Sequence, residues 1–158
     1  MYMVEIMAKI QAIHSTAKRY HWQCQGKNFY QEHLFFDRIA DSFTNDDIDT
    51  LAEAWYMCED RNNLEQLNNF DKLVAQYVGK EFSKEDLNKD NIIDEMFTQL
   101  YSMILQFLED LNNVNFTQGV NNKIDEIAQS SSQILGLIKA RLIDNSINTV
   151  ISRLARNF

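Results

Sequence analysis

The strongest constraint on the fold is the spacing of apolar residues, which alternates between three and four positions along much of the chain. In the first segment the apolar positions are Met3, Ile6, Ile10, Ile13, Ala17, Tyr20 and Cys24. This spacing places all of them on one face of an α-helix. Proline is absent and the chain has only four glycines, so little in the sequence interrupts long helices. The sequence therefore predicts an all-α fold.

The same pattern predicts the extent of each helix and how the helices connect. We expect helices over about 3–25, 29–60, 64–78, 89–111, 120–142 and 146–156, within a single domain spanning 1–158. Four of them are long, and a long connection separates the second long helix from the third. Two antiparallel hairpins joined by such a crossover, which here carries a short extra helix, make a four-helix bundle.

The first predicted turn brings two histidines level with each other. Gly26 and Asn28 are turn residues, and His21 and His33 lie six positions before and after Lys27. In an antiparallel hairpin, residues equidistant from the turn lie side by side. Asp37 follows His33 by four residues and therefore shares its face of the helix. Two imidazoles and a carboxylate are suitable ligands for iron or zinc.

A second acidic pair, Asp49 and Glu53, is again four residues apart. Asp49 follows Asp37 by twelve residues, which is roughly 18 Å along a helix, so the two pairs cannot bind one ion within a single chain. They can do so if two chains pack about a two-fold axis. The sequence therefore predicts a metal site of His21, His33 and Asp37 completed by Asp49 and Glu53 of a second copy.

The order His-Trp-x3-Gly-x2-Phe-x3-His-x2-Phe-Asp, followed by Asp-x-Leu-Ala-Glu, resembles the Dps family of mini-ferritins. The motif covers about a fifth of the chain, from His21 to Glu53. The resemblance implies a ferritin-like four-helix bundle and a ferroxidase centre between subunits, with these five residues as the metal ligands and the catalytic residues. It also implies a short helix between the second and third long helices.

The family resemblance further implies a function and an assembly. We expect a homo-oligomer, a hollow dodecamer, that oxidises Fe²⁺ with peroxide or O2 and stores ferric iron. Zinc or manganese would suit the same ligands. By family analogy Trp22 lies beside the centre, and Asp125 and Glu126 are weak candidates for an iron-entry pore.

One departure from the family pattern concerns the second aspartate. The family places it eleven residues after the first, whereas Asp49 follows Asp37 by twelve, a rotation of about 100° around a regular helix. Either a π-bulge absorbs the extra residue, or the helix breaks and restarts near 42–47. Thr44 and Asp47 resemble a capping box, which would restart it. The aspartate's role could also have passed to Asp46 or Asp47.

Composition bears on partners and location. The net charge of −8 disfavours DNA binding, which depends on basic contacts to phosphate, and favours the attraction of cations. No apolar run is long enough for a membrane helix, and the first residues lack the features of a signal peptide. The only cysteines, Cys24 and Cys58, do not form a disulfide framework, so we expect a reducing, cytoplasmic location. Cys24 is a less favoured thiolate ligand three residues after His21.

Two other functions stay open at the level of sequence. The fold and dimer could persist around a degenerate metal site, giving a structural or assembly protein without oxidase activity. A DNA-compacting protein with little oxidase activity is also conceivable, but it would need a basic surface. No glycine-rich phosphate loop, CxxC or Gly-x-Ser-x-Gly occurs to indicate another chemistry.

Overall fold

The computed structural model describes residues 1–143 and contains only helices and their connections within that range. The helices are α1 (Met3–Gln23), α2 (Phe29–Asp41), α3 (Asn45–Ala52), a π-helical segment Glu53–Met57, a 3-10 segment Arg61–Asn69, α4 (Phe70–Tyr77), α5 (Lys84–Leu87), α6 (Ile92–Asn112) and α7 (Gln118–Arg141). The all-α class is confirmed for these residues, and the four-helix bundle stays a prediction. The helix expected over 146–156 lies outside the described residues.

Helix α1 is the central element. It packs against α2, α3, α4 and α6, and its apolar stripe from Met3 to Cys24 is almost fully buried. The helix is apolar on more than one face, because Val4, Met7 and Ala8 are buried beside that stripe. A helix that is contacted on several sides must carry apolar residues around most of its circumference.

Contacts between side chains fix the relative directions of the long helices. His14 meets Ala40 and His21 meets His33, so α2 runs antiparallel to α1. Phe36 stacks on Phe97 with the ring centroids 4.3 Å apart. Phe43, which follows α2, meets Phe107 further along α6, so α2 and α6 run parallel. Parallel neighbours require a long connection between them, as the sequence predicts.

Helix α7 runs antiparallel to both α2 and α6. Arg141, in its last turn, binds Glu32 and Asp94 at 3.1 and 2.9 Å, near the starts of α2 and α6. At the other end of α7, Lys123 binds Asp47 of α3 at 2.9 Å. Glu32 is 8% exposed, and its charge is balanced by the Arg141 guanidinium. These ion pairs fix the register of α7 at both of its ends.

The predicted helix over 29–60 is not continuous, which corrects the sequence analysis. It breaks after Asp41 and restarts at Asn45, where the Thr44 hydroxyl accepts a hydrogen bond from the Asp47 amide. Phe43 is 1% exposed and anchors the break in the core. A good N-cap and a buried aromatic ring together stabilise a break that contains neither proline nor glycine. The spacing left open either a π-bulge or a break, and the structure has the break, with the helix restarting within the predicted range 42–47.

A π-helical segment also occurs, but it lies after the break rather than between the two aspartates. The Asp60 amide donates to the Trp55 carbonyl across five residues, at 2.7 Å. The predicted short helix over 64–78 is divided into the 3-10 segment and α4, and the short α5 was not predicted. No helix among the described residues is long and apolar enough to span a membrane.

The segment after α4 is held against α1 by backbone contacts at Gly79. Its amide donates to the Thr16 hydroxyl at 2.9 Å, and its carbonyl accepts from Arg19 at 2.8 Å. A Cβ atom at this position would lie 2.7 Å from Met103 Sδ and 2.8 Å from Thr16 Cγ2. The close approach of this segment to α1 therefore requires glycine.

We expect Gly79→Ala to lower the free energy of unfolding by about 1–3 kcal/mol, because the added methyl group overpacks the contact with α1. Gly136→Ala is the matched control, since a Cβ there meets nothing within 4 Å and the residue lies inside α7. That substitution should stabilise the protein by roughly 0.5–1 kcal/mol. Urea denaturation followed by circular dichroism measures both changes, and equal effects of the two substitutions would contradict the packing assignment.

Candidate metal centre

The two histidines of the predicted site lie against each other where α1 and α2 meet. His21 is in the last turn of α1 and His33 in the second turn of α2, and their rings stack with centroids 3.7 Å apart and planes inclined by 18°. Phe29 stacks on the other side of His33 at 4.8 Å. The equal distance of the histidines from the turn, read from the sequence, therefore predicted their juxtaposition correctly.

Each imidazole is held by the backbone of the other histidine. Nδ1 of His21 lies 2.7 Å from the His33 carbonyl oxygen, and Nδ1 of His33 lies 2.8 Å from the His21 carbonyl oxygen. A carbonyl oxygen can only accept, so both Nδ1 atoms must carry the proton. The lone pair of each neutral ring is then on Nε2, and no hydrogen bond within residues 1–143 uses either Nε2 atom.

This arrangement is the one that metal-binding histidines need. A histidine ligand usually donates its other ring N–H to a carbonyl or carboxylate, which fixes its tautomer and orientation. Because the two rings are nearly parallel, their in-plane lone pairs do not converge on one point. The stacked pair is therefore better suited to two adjacent ions than to the chelation of one.

Asp37 lies beside the pair but is already engaged. Its Oδ1 is 4.0 Å from His21 Nε2 and 2.5 Å from Nζ of Lys18, which donates a hydrogen bond to it. That hydrogen bond is the main reason why the pKa of Asp37 is lowered. The carboxylate is therefore ionised at neutral pH and forms an ion pair with an ammonium group. The sequence analysis did not single out Lys18, although its position one turn before His21 places it on the same face.

The structure does not bring Asp49 and Glu53 to the histidines of the same chain. Both are exposed, Asp49 on α3 and Glu53 at the start of the π-helical segment. The Glu53 amide donates to the Asp49 carbonyl, so the helix between them is regular and the two carboxylates share a face. Within residues 1–143, no group of three or more His, Cys, Asp and Glu side chains is arranged to hold a metal ion.

The other acidic candidates lie elsewhere. Asp47 is bound to Lys123, whereas Asp46 is exposed at the start of α3. Asp125 and Glu126, the weak candidates for a pore, are exposed in the first half of α7. None of these residues is in contact with the histidine pair in one chain.

No family model matches this chain, and neither curated proteins nor solved structures show a significant similarity to it.

Cys24 is poorly suited to be a thiolate ligand. Its side chain is buried, and its Sγ lies 3.5 Å from the His21 carbonyl oxygen, to which the thiol donates. Burial, together with the nearby charge of Glu32, raises the pKa of the Cys24 thiol to about 11. The thiol is therefore protonated at neutral pH, which disfavours the alternative that it binds metal.

We expect a thiol reagent such as iodoacetamide to modify Cys58 in the folded protein and to leave Cys24 intact. Cys58 is exposed, whereas Cys24 is buried and almost wholly protonated at about pH 8. Mass spectrometry of peptides locates the label, and unfolding in guanidinium chloride should make both residues reactive. Rapid labelling of Cys24 in the folded protein would contradict the assignment.

Proposed function

We propose that this protein is a Dps-like mini-ferritin, a ferroxidase that oxidises Fe²⁺ and stores ferric iron in an oligomeric shell. The observation that carries the proposal is the pair of reciprocal hydrogen bonds between His21 and His33. These bonds leave both Nε2 lone pairs available beside an ionised Asp37. Histidine ligands of metal ions are typically oriented in this way, by an N–H bond to a carbonyl from the ring nitrogen that does not bind the ion.

The helix directions support a ferritin-like bundle as the scaffold. Helices α1 and α2 run antiparallel, α2 and α6 run parallel, and α7 runs antiparallel to both α2 and α6. A long connection carrying α4 lies between the second and third long helices. These directions are compatible with a four-helix bundle that has one long crossover, and they support the proposal of a ferritin-like scaffold.

The missing ligands would come from a second copy of the chain. Asp49 and Glu53 present two carboxylates on one face of an exposed helix, and neither is used by the histidines of its own chain. Around the histidines, Trp22 is 71% exposed and Tyr30 is 69% exposed, and Leu34 also lies at the surface. A surface that exposes such large apolar side chains next to polar groups is typical of an interface.

The extra residue between Asp37 and Asp49 is compatible with this assignment. It lies in a stretch that contains the break at Ser42–Thr44, so the direction of Asp49 is not set by continuing the turn of α2. A rotation of about 100°, which would follow in a regular helix, does not apply across a break. The insertion therefore leaves the second acidic pair able to face a partner.

In the proposed reaction iron is the substrate. His21 and His33 would each bind an iron ion through Nε2, and Asp37, with the partner's Asp49 and Glu53, would neutralise the added positive charge. Carboxylates attract a trivalent ion more strongly than a divalent one, so the acidic ligands favour the oxidised product. The electrons pass to peroxide or O2. Trp22, exposed beside His21, is placed to intercept stray oxidising equivalents.

A second function has one observation in its favour. The ion pair between Lys18 and Asp37 neutralises the carboxylate that lies beside the histidines in the described part of the chain. On this alternative the protein keeps the ferritin-like fold and the dimer, its metal site is degenerate, and it acts in structure or assembly. Zinc or manganese in place of iron would be a third outcome at the same ligands.

His33→Ala should abolish the oxidation of Fe²⁺, because it removes one Nε2 ligand and the ring that stacks on His21, while the backbone carbonyl that holds His21 remains. The matched control is His14→Ala, since Nδ1 of His14 also donates to a carbonyl, that of Ala40, at 2.8 Å, but lies two turns away from His21. The measurement is anaerobic Fe²⁺ titration by calorimetry followed by oxidation kinetics. Light scattering would first establish whether the particle has twelve subunits.

Retention of iron oxidation in His33→Ala would disprove the ferroxidase assignment. Absence of iron binding to the unaltered protein, on a particle of any size, would favour the structural alternative. If His14→Ala is as damaging as His33→Ala, the effect reflects disturbance of the α1–α2 contact and not loss of a ligand.

Mixing two inactive variants tests whether the centre lies between subunits. His33→Ala and the double variant Asp49→Asn, Glu53→Gln should each be inactive alone. After unfolding and refolding together, a mixed dimer contains one site in which every ligand is intact, so about a quarter of the sites should be restored. Oxidation kinetics of the mixture measure this recovery, and no recovery beyond that of separately refolded variants would mean that the two acidic residues do not act across an interface.

A further inference from the structure

A lysine side chain lies inside the candidate metal centre. Nζ of Lys18 is 2.5 Å from Asp37 Oδ1, and that same oxygen atom is the one that lies 4.0 Å from His21 Nε2. The carboxylate oxygen nearest to the available imidazole nitrogen is therefore bonded to an ammonium group. Lys18 reaches this position from α1, one turn before His21.

We propose that Lys18 is a built-in competitor of the metal ion, which must displace the ammonium from Asp37 in order to bind. This inference rests on the proposed function and concerns how that same centre is regulated. Lys18 would set the affinity of the centre for divalent cations and keep Asp37 and the histidines in place when no metal ion is bound.

The Lys18 ammonium and a metal ion would compete because both are cations within reach of the same carboxylate. A divalent ion bound to Asp37 and His21 would lie within a few ångströms of the ammonium, and like charges at that distance repel strongly at a partly desolvated site. The two groups cannot use the same carboxylate oxygen favourably at the same time. A metal ion that binds Oδ1 of Asp37 therefore competes directly with Lys18 for that atom.

Lysine is also suited to be displaced. Its side chain is flexible, and an ammonium group is strongly hydrated, so it gains solvation when it leaves an ion pair. The side chains of Lys18 and Asp37 are 30% and 34% exposed, and solvent is therefore within reach of the released ammonium. An arginine at this position would hold the carboxylate with two hydrogen bonds and would release it less readily.

The experiment is a titration of the full chain with Co²⁺, followed by the visible absorption of the bound ion. We expect Lys18→Met to tighten Co²⁺ binding by roughly threefold to tenfold, as expected for the loss of a partly exposed competing ion pair. Lys18→Arg should keep binding as weak as in the unaltered protein, or weaken it further. Lys18→Gln serves as a second neutral variant if the methionine variant does not fold.

Lys9→Met is the matched control. Lys9 lies on the same helix and forms an ion pair with Asp110 of α6, away from the histidines. Lys9→Met should leave the affinity for Co²⁺ unchanged, which separates competition at Asp37 from the general effect of removing one positive charge. Each titration is repeated in the His21→Ala background, where the binding of Co²⁺ beside Asp37 should disappear, because His21 Nε2 is the imidazole nitrogen that lies 4.0 Å from Asp37 Oδ1.

The outcomes distinguish this inference from the proposed function. Tighter binding in Lys18→Met that is absent in Lys9→Met and is lost with His21→Ala supports both. Binding that is lost with His21→Ala but is unchanged in Lys18→Met overturns the role of Lys18 and leaves the metal centre standing. Binding that is as tight in His21→Ala as in the unaltered protein places the metal elsewhere and overturns both proposals.

Discussion

The burial of α1 is the constraint on which the rest of the structure depends. Every other long element except α7 packs against it directly, and its residues include several of the most deeply buried in the chain. Burial of the side chains of Ile6, Ile10 and Ile13 contributes on the order of 1.5–3 kcal/mol each. The same helix carries Lys18 and His21 in its last turns, so the scaffold and the candidate site share one element. A shift of α1 would move the site as a whole.

The polar contacts of α1 show why the site lies at one particular end of it. Toward the C-terminal end, His21 and His33 exchange hydrogen bonds with each other's backbone carbonyls, which ties the start of α2 to the end of α1. The accepting carbonyls lie beside the histidines in the hairpin, so the rings are oriented by the fold itself. The result is a pair of imidazoles with fixed tautomers, obtained without any additional side chain.

Much of this fold could be predicted from the sequence, because helical periodicity depends only on the local order of apolar and polar residues. The bounds of α1, α6 and α7 were predicted to within a few residues for that reason. The break at Ser42–Thr44 was harder, since its stability depends on the burial of Phe43 against α6, which is distant in sequence. The signals in the sequence were the twelve-residue spacing between Asp37 and Asp49 and the capping pattern of Thr44 and Asp47. The prediction of one long helix over 29–60 was wrong at the position where a tertiary contact favours a break over continuation of the helix.

In the candidate site, too, the features set by local sequence were predictable, and those set by contacts distant in sequence were not. Proximity of His21, His33 and Asp37 follows from counting residues around a turn, and the structure brings these three together. The engagement of Asp37 by Lys18 was not predicted, because several side chains near the end of α1 could have reached it and only packing selects one. The proposed role of Asp49 and Glu53 requires a second chain, and a single sequence does not show which chain packs against it.

The charge balance of the candidate site within one chain favours the proposed contribution of a second chain. Two imidazoles and one carboxylate that is already paired with an ammonium group offer little net attraction for a divalent ion. Two further carboxylates change that balance, and exposed Asp49 and Glu53 are the pair whose spacing on a regular helical turn allows them to act together. Bringing them in would also cover Trp22 and Tyr30, which are costly to leave in water. The same contact would then bury the apolar surface and add the negative charge that a divalent ion requires.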